Sequence, residues 1–322
     1  MSLSDVVEHA ARGRPPDPRW YQIGALSGLL LYGLTSLDFD VTLARVALLL
    51  AAAISTQFVC TRIWRLPSFD PKSALISGLS LCLLLRTNSA SLAVLAAAAA
   101  VSSKFLLRVG GKHLFNPTNF GIVAVLLATG RVWVSPAQWG NAAFLGFLLA
   151  GIGGFVVHRS TRSDVTLAFL GLYLALVFAR SAWLGEPLAI PLHRLQSGAL
   201  LIFAFFMISD PKTTPNSRAG RILFGLLVAA GAAFIQFRLF RTNGPLWSLA
   251  AFSLAVPGID RLLPGCRYVW AGSPEPPSPL SKGASDETPL PDSRFWPLAA
   301  RREPPRAPVL RVLRGPGGRE TL

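Results

Sequence analysis

The sequence predicts an all-α integral membrane protein of about ten transmembrane helices, and three observations carry that prediction. The 322 residues are 52% hydrophobic and only 15% charged, whereas soluble domains carry about 25% charged residues. The apolar excess falls in blocks roughly 15–20 residues long, the length scale of helices that cross a bilayer. Basic residues alternate in density between successive connecting loops, as the positive-inside rule requires.

The ten apolar segments lie near 21–37, 41–60, 71–86, 89–107, 115–130, 138–158, 163–181, 195–209, 221–238 and 245–260. Segments 71–86, 115–130, 195–209 and 245–260 are the shortest, and each begins or ends near Pro, Gly or a charge. Short, interrupted helices at matching places in two halves point to an inverted-repeat fold with a site near the middle. The halves also resemble each other. "LISGLSLCLLL" aligns with "LQSGALLIFAF", and "HLFNPTNFGIVAVLLA" with "RLFRTNGPLWSLAAFSLA", at offsets of 120 and 125 residues. Five helices is an odd number, so the second copy must be inverted.

With the N-terminus inside, sixteen basic residues fall in inner loops and six in outer loops (Arg86, Arg131, Arg180, Arg194, Arg238, Arg241). Lys104, Arg108, Lys112, Lys212, Arg218 and Arg221 count among the inner charges. Both termini are therefore expected in the cytoplasm. The opening "MSLSDVVEHAARGRPPDPRW" lacks the apolar core and cleavage site of a signal peptide. The expected organisation is a cytoplasmic segment 1–20, a first repeat 21–130, a second repeat 131–265 and a tail 266–322. The tail is rich in Pro and Arg, and such sequence builds no core.

The net charge of +15 is explained by helix-flanking and tail residues, so no nucleic-acid partner is expected; the partner is the lipid bilayer. Cys60, Cys82 and Cys266 show no metal-ligand spacing, and no phosphate loop or Ser/His/Asp set is evident. No metal site and no catalytic residue of the chain's own is expected. Any chemistry belongs to a bound cofactor.

Two stretches combine polar side chains with irregular backbone, which a membrane tolerates only beside protein or a cavity. In "GGKHLFNPTNFG", Asn116, Thr118 and Asn119 stand at the mouth of the fifth segment, where the amides read a planar ligand edge or cap the helix. In "SDPKTTPNSRAG", Asp210 follows a nearly apolar run and either meets a ligand N–H, pairs with Lys212 or caps the next helix. Both stretches fall on one face, so they can converge. Asp70-Pro71-Lys72 repeats the Asp-Pro-Lys wording as a helix entry.

"FNPTNFG", "FFMISDPKTTPNSRAGRILFG" and "PGIDRLLP" resemble the NqrB/RnfD family. Those proteins are membrane components of the sodium-pumping NADH:quinone oxidoreductase and of the RnfABCDGE-type electron transport complex. The likeness covers about residues 20–265, and "DPRWYQIGALSGLLLYGLTSLDFD" is similar to a stand-alone branch often labelled UnbU, from enediyne antibiotic gene clusters. The resemblance implies two inverted five-helix repeats, a urea-transporter-like architecture, in a bacterial inner membrane. It implies a flavin (riboflavin or FMN) held non-covalently between the repeats by Asn116, Asp210 and His113, with Thr118, Asn119 and Thr213 close by. His113 stands where the family usually has Asn. The family's covalent-FMN motif, Ser-Gly-Ala-Thr, has Leu200 in place of its threonine (Ser197-Gly198-Ala199-Leu200), so no FMN–threonine ester is expected. The implied role is electron transfer between redox partner proteins or quinone, with or without coupled cation transport, as one component of a complex and not a self-contained enzyme. The alternative is a solute or ion transporter on the same scaffold.

Overall fold

The computed structural model describes residues 17–36, 39–134, 152–153, 163–195 and 197–268. The sixth apolar segment, apart from 152–153, the first 16 residues and the tail from 269 lie outside them.

The other apolar segments are helical, with 195–209 and 245–260 each broken into more than one element. α1 (Pro18–Ser36), α2 (Leu43–Ile63), α3 (Lys72–Leu84), α4 (Ala90–Leu106) and α5 (Pro117–Thr129) make the first half. The second half holds α6 (Ser163–Trp183), α7 (Ala189–Leu195), α8 (Gly198–Ile202), α9 (Arg218–Phe237), α10 (Gly244–Ser253) and α11 (Val256–Leu262). α8 runs on as a π-turn over Phe203–Met207, where the Ile208 amide donates to the Phe203 carbonyl at 3.0 Å. Two-residue strands pair antiparallel: β1 (Leu85–Arg86) with β4 (Trp133–Val134), and β2 (Arg108–Val109) with β3 (Lys112–His113).

Side chains at the starts explain the boundaries. Thr42, Ser89, Asn116, Ser197 and Ser217 each accept a backbone N–H of the first turn, satisfying donors that lipid could not. Pro117 follows Asn116 at the first helical position, where its missing N–H costs nothing.

Among the described residues, Leu43–Ile63, Ser163–Trp183 and Arg218–Phe237 are each long and apolar enough to cross a bilayer alone. The bent pair Ala189–Leu195 with Gly198–Met207 makes a fourth if it is one span. α3 and α5, at 13 residues each, reach only about 20 Å at 1.5 Å per residue, short of a roughly 30 Å hydrocarbon core. These are the segments whose shortness the sequence shows.

The packing order repeats. α2 packs on α4 and α4 on α5; in the second half α6 packs on α9 and α9 on α10. Small residues permit these approaches. A Cβ on Gly121 would stand 2.5 Å from the Ala96 carbonyl, and one on Gly225 would stand 2.8 Å from the Val165 carbonyl. α5 meets α10, joining the halves. The buried core includes Leu81, Leu83, Ile122, Phe169, Phe203 and Phe224.

Two residues read as loop charges are not in loops open to water. Lys104 is 5% exposed within α4, and Arg86 is 4% exposed at the end of α3.

Candidate functional site

The α5 N-terminus is the starting point. The Oδ1 of Asn116 accepts the Asn119 amide at 3.1 Å, so Asn116, and not Asn119, is the cap. Its Nδ2 is then free to cross to the other half. It donates to the Met207 carbonyl at 3.3 Å and to Asp210 Oδ2 at 3.4 Å. The other oxygen of Asp210 accepts the Lys212 amide at 3.0 Å, across a proline that offers no donor itself. Asp70 and Lys72 make the same turn at 3.1 Å, so the repeated Asp-Pro-Lys wording encodes one local structure. At α3 that turn is a helix entry. After the π-turn it presents a carboxylate to a helix N-terminus, where the helix dipole favours negative charge.

A cavity of about 200 Å³ opens between these groups. Ser73, Ser77 and Ser80 give it one polar face of α3, because residues three and four apart share a helix face. Lys104 Nζ reaches in from the end of α4, donating to Gln57 Oε1 at 2.9 Å and Ser73 Oγ at 3.0 Å. Arg19 lines the cavity too, and its guanidinium contacts Asp17 and Asp70.

His113 arrives on the β2–β3 hairpin, whose Gly110 and Gly111 take φ of 58° and 75°, backbone that suits glycine. The hairpin is tied down from the second half. Lys112 Nζ pairs with Asp260 Oδ2 at 2.9 Å, and Asp260 Oδ1 accepts the Asn216 amide at 2.7 Å. Arg267 donates to the carbonyls of Gly110 and Gly111. His113 Nδ1 is buried, lines the cavity and has no hydrogen-bond partner.

Burial raises the Asp210 carboxyl, opposed by the Lys212 amide and the Lys212 charge. Burial lowers Lys212, with Arg267 adding to the effect. Burial, then the charges of Arg108 and Lys104, bring His113 down to about 3, so its imidazole is neutral. At the rim, burial alone would raise Asp17, but hydrogen bonds from Arg19 and Lys72 outweigh it and bring Asp17 to about 2.

Of the residues singled out from sequence, His113, Asn116, Thr118 and Asp210 line this cavity. Asn119 does not. It is fully buried and donates to the Leu246 carbonyl at 3.1 Å, tying α5 to α10. Thr213 lies beneath the site, its hydroxyl donating to the Asp210 carbonyl at 3.3 Å. Sequence reasoning missed Lys104, the three serines and Asp260. A lysine inside the run "AAAAAVSSKFLL" was the available signal, since a charge within an apolar segment marks a function. Arg221 holds both oxygens of Asp164 through Nε at 2.8 Å, joining α9 to α6, beyond the topological role its charge suggests.

Ser197, Ala199 and Leu200 line a second cavity of about 620 Å³, together with Tyr173, Arg180 and Arg194. Among the described residues, no group of three or more His, Cys, Asp or Glu side chains could hold a metal ion.

The fold and site define a class: a helical membrane protein with a polar cavity built from both halves of its chain. Comparison with known proteins places a family beside that class. Residues 135–266 match the family model described as the NQR2, RnfD, RnfE family. The D subunit of the ion-translocating oxidoreductase complex of Erwinia tasmaniensis is 32% identical over 149 residues, 46% of this chain and 38% of the relative. The protein of the same name from Escherichia coli O1:K1 / APEC is 36% identical over 148 residues, 45% of this chain and 37% of the relative. The chain thus spans well under half the length of these relatives. The likeness to the NqrB/RnfD family is borne out, and the family-model match takes in "SDPKTTPNSRAG" and "PGIDRLLP" but not "FNPTNFG".

Proposed function

We propose that the chain is a membrane electron-transfer subunit that holds a flavin non-covalently in the Asp210 cavity. The observation that carries this is the Asn116–Asp210 contact at 3.4 Å beside the unpartnered His113 Nδ1. A flavin's pyrimidine edge alternates an N–H with carbonyl oxygens. Asp210 accepts only, Lys104 and the Thr118 hydroxyl donate, and a neutral imidazole does either. The group would supply redox chemistry. The chain's part is to bind and orient it and, through a carboxylate near the ring, to disfavour negative charge on its reduced form. The repeated packing order supports the reading of two inverted repeats, the alternation of basic loops supports ten spans with termini inside, and the bacterial relatives support an inner membrane. Partner redox proteins or quinone would give and take the electrons, in keeping with the relatives' names.

The test is purification in mild detergent and a visible absorption spectrum of wild type and Asp210→Ala. A flavin band in wild type that falls in the variant supports the proposal. A colourless wild-type preparation, reconstituted with neither riboflavin nor FMN, refutes it.

One observation favours the transporter reading. The cavity, about 200 Å³, is smaller than most ligand pockets of roughly 300–1,000 Å³, and its serine face suits a small polar solute. Solute flux into liposomes without an electron donor would decide for that reading.

A further inference from the structure

A second polar feature sits at the other end of α3, about 20 Å of helix from Lys72. Arg86 follows the last turn of α3 and is 4% exposed. Its Nη1 donates to the carbonyls of Cys82 and Leu85, at 3.0 and 2.8 Å. The first of those bonds caps a carbonyl in the last turn of α3. Its Nε and Nη2 are buried and have no partner. Among the described residues no carboxylate forms an ion pair with it. The Phe39 ring lies 5.7 Å from the guanidinium carbon and occupies a face, not the donors. Two unpaired N–H groups of a cation in a protein interior carry a cost that a native chain does not leave standing without a partner.

Arg86 lines a cavity of about 230 Å³ with Arg45, Thr42, Thr87, Asn88 and Trp133. Thr42 caps α2, and Asn88 precedes the Ser89 cap of α4. Two helix N-termini, each electropositive, therefore open beside the same space as two arginines. Arg45 is held by a hydrogen bond from Nη1 to the Ser89 carbonyl at 2.9 Å. The lining carboxylate, Asp40, is exposed, and its charge acts on Arg86 without a hydrogen bond or ion pair. The free edge of Arg86 presents Nε and Nη2 side by side, the fork that takes two oxygens of one oxyanion.

We propose that this cavity binds a phosphate-type oxyanion through Arg86 and Arg45, independently of the Asp210 cavity. Its source is either a soluble phosphate or a lipid phosphodiester at the membrane surface. The two share the chemistry that the fork reads.

Trp133 gives the readout, since it pairs with Arg86 across the β1–β4 ladder. The full chain, delipidated in maltoside detergent, is titrated with inorganic phosphate and, separately, with dioctanoyl phosphatidylglycerol, against chloride at equal ionic strength. Tryptophan emission is followed. A saturable change with at least one probe, absent from Trp133→Phe, is expected. Arg86→Lys keeps the charge but loses the fork, and it should bind about tenfold more weakly, the cost of one charge-assisted hydrogen bond. Arg45→Gln should weaken binding as well. A response to phosphate alone identifies a soluble ligand, and a response to the lipid alone identifies a headgroup. No response to either probe overturns the proposal, and so does Arg86→Lys titrating like wild type. Because Arg86→Gln also uncaps α3, the lysine variant is the deciding one, with its thermal unfolding measured to show that it is folded.

Discussion

Replacing Asn116 separates its two jobs. As a cap it satisfies the Asn119 amide, and loss of such a cap costs about 1 kcal/mol. As a bridge it gives two long hydrogen bonds, at 3.3 and 3.4 Å, to Met207 and Asp210; within membrane proteins such contacts average about 0.6 kcal/mol each. Asn116→Ala should therefore cost about 2 kcal/mol, and Asn116→Ser, which keeps a capping oxygen, about 1 kcal/mol. Asn116→Asp is the informative substitution. It retains the cap but sets a second carboxylate against Asp210 at the present 3.4 Å contact. Two such charges repel by about 5 kcal/mol at an effective dielectric of 20, and the chain escapes by protonating one of them. That carboxyl has a folded pKa above its unfolded value. Its stability contribution is complete below the unfolded pKa and lost as pH rises through the folded one. Unfolding in mixed detergent micelles, followed by circular dichroism from about pH 8 to about pH 5, should show Asn116→Asp less stable than Asn116→Ala at the upper end and recovering toward the lower. Parallel pH curves for the two variants would refute the Asn116–Asp210 contact.

Further outcomes follow from the same geometry. Gly121→Ala should destabilise by about 1–3 kcal/mol, because overpacking strains the α4–α5 contact, while Gly24→Ala, with nothing within 4 Å of its added carbon, should be neutral or stabilising; thermal unfolding in detergent compares them. Asp17, at about 2 against a usual 3.8, contributes stability that is present above the usual value and lost as pH falls toward 2, so Asp17→Asn should flatten the acid limb of the unfolding curve. His113→Asn restores the residue expected from the family resemblance and should raise flavin content relative to wild type, read as visible absorbance per mole of protein. Asp164→Ala strips Arg221 of its paired oxygens and should cost about 3 kcal/mol, as broken part-buried ion pairs do.

The likeness of the two Asp-Pro-Lys turns shows how far local sequence reaches. It specified both turns, and the same carboxylate-to-amide bond forms at Asp70 and Asp210. It read the first turn as a helix entry but left the second as a ligand contact, a pair with Lys212 or a cap, since that choice depends on what packs against it. The caps divide similarly. A Ser, Thr or Asn before an apolar run marked several helix starts. Yet Asn116 and Asn119 are near-equivalent in sequence, and only the chain direction at Pro117 makes the first a cap and frees the second to bind Leu246.

Charge was the least legible feature. Lys104 and Arg86 sit at segment ends, where lysine and arginine ordinarily snorkel to water, and loop counting treats them alike. Their burial comes from neighbours far along the chain: Gln57 and Ser73 around the lysine, Trp133 and Phe39 around the arginine. The π-turn at Phe203–Met207 has no sequence signature, because one extra residue per turn is accommodated by packing and not by propensity.

By itself the sequence determined a helical membrane chain and the two polar stretches, because hydropathy, caps and prolines act within a few residues. Tertiary structure alone decided which polar groups meet. The Asn116–Asp210 contact spans 94 residues and the Lys112–Asp260 pair spans 148, and over such separations only the packing of the halves fixes a distance.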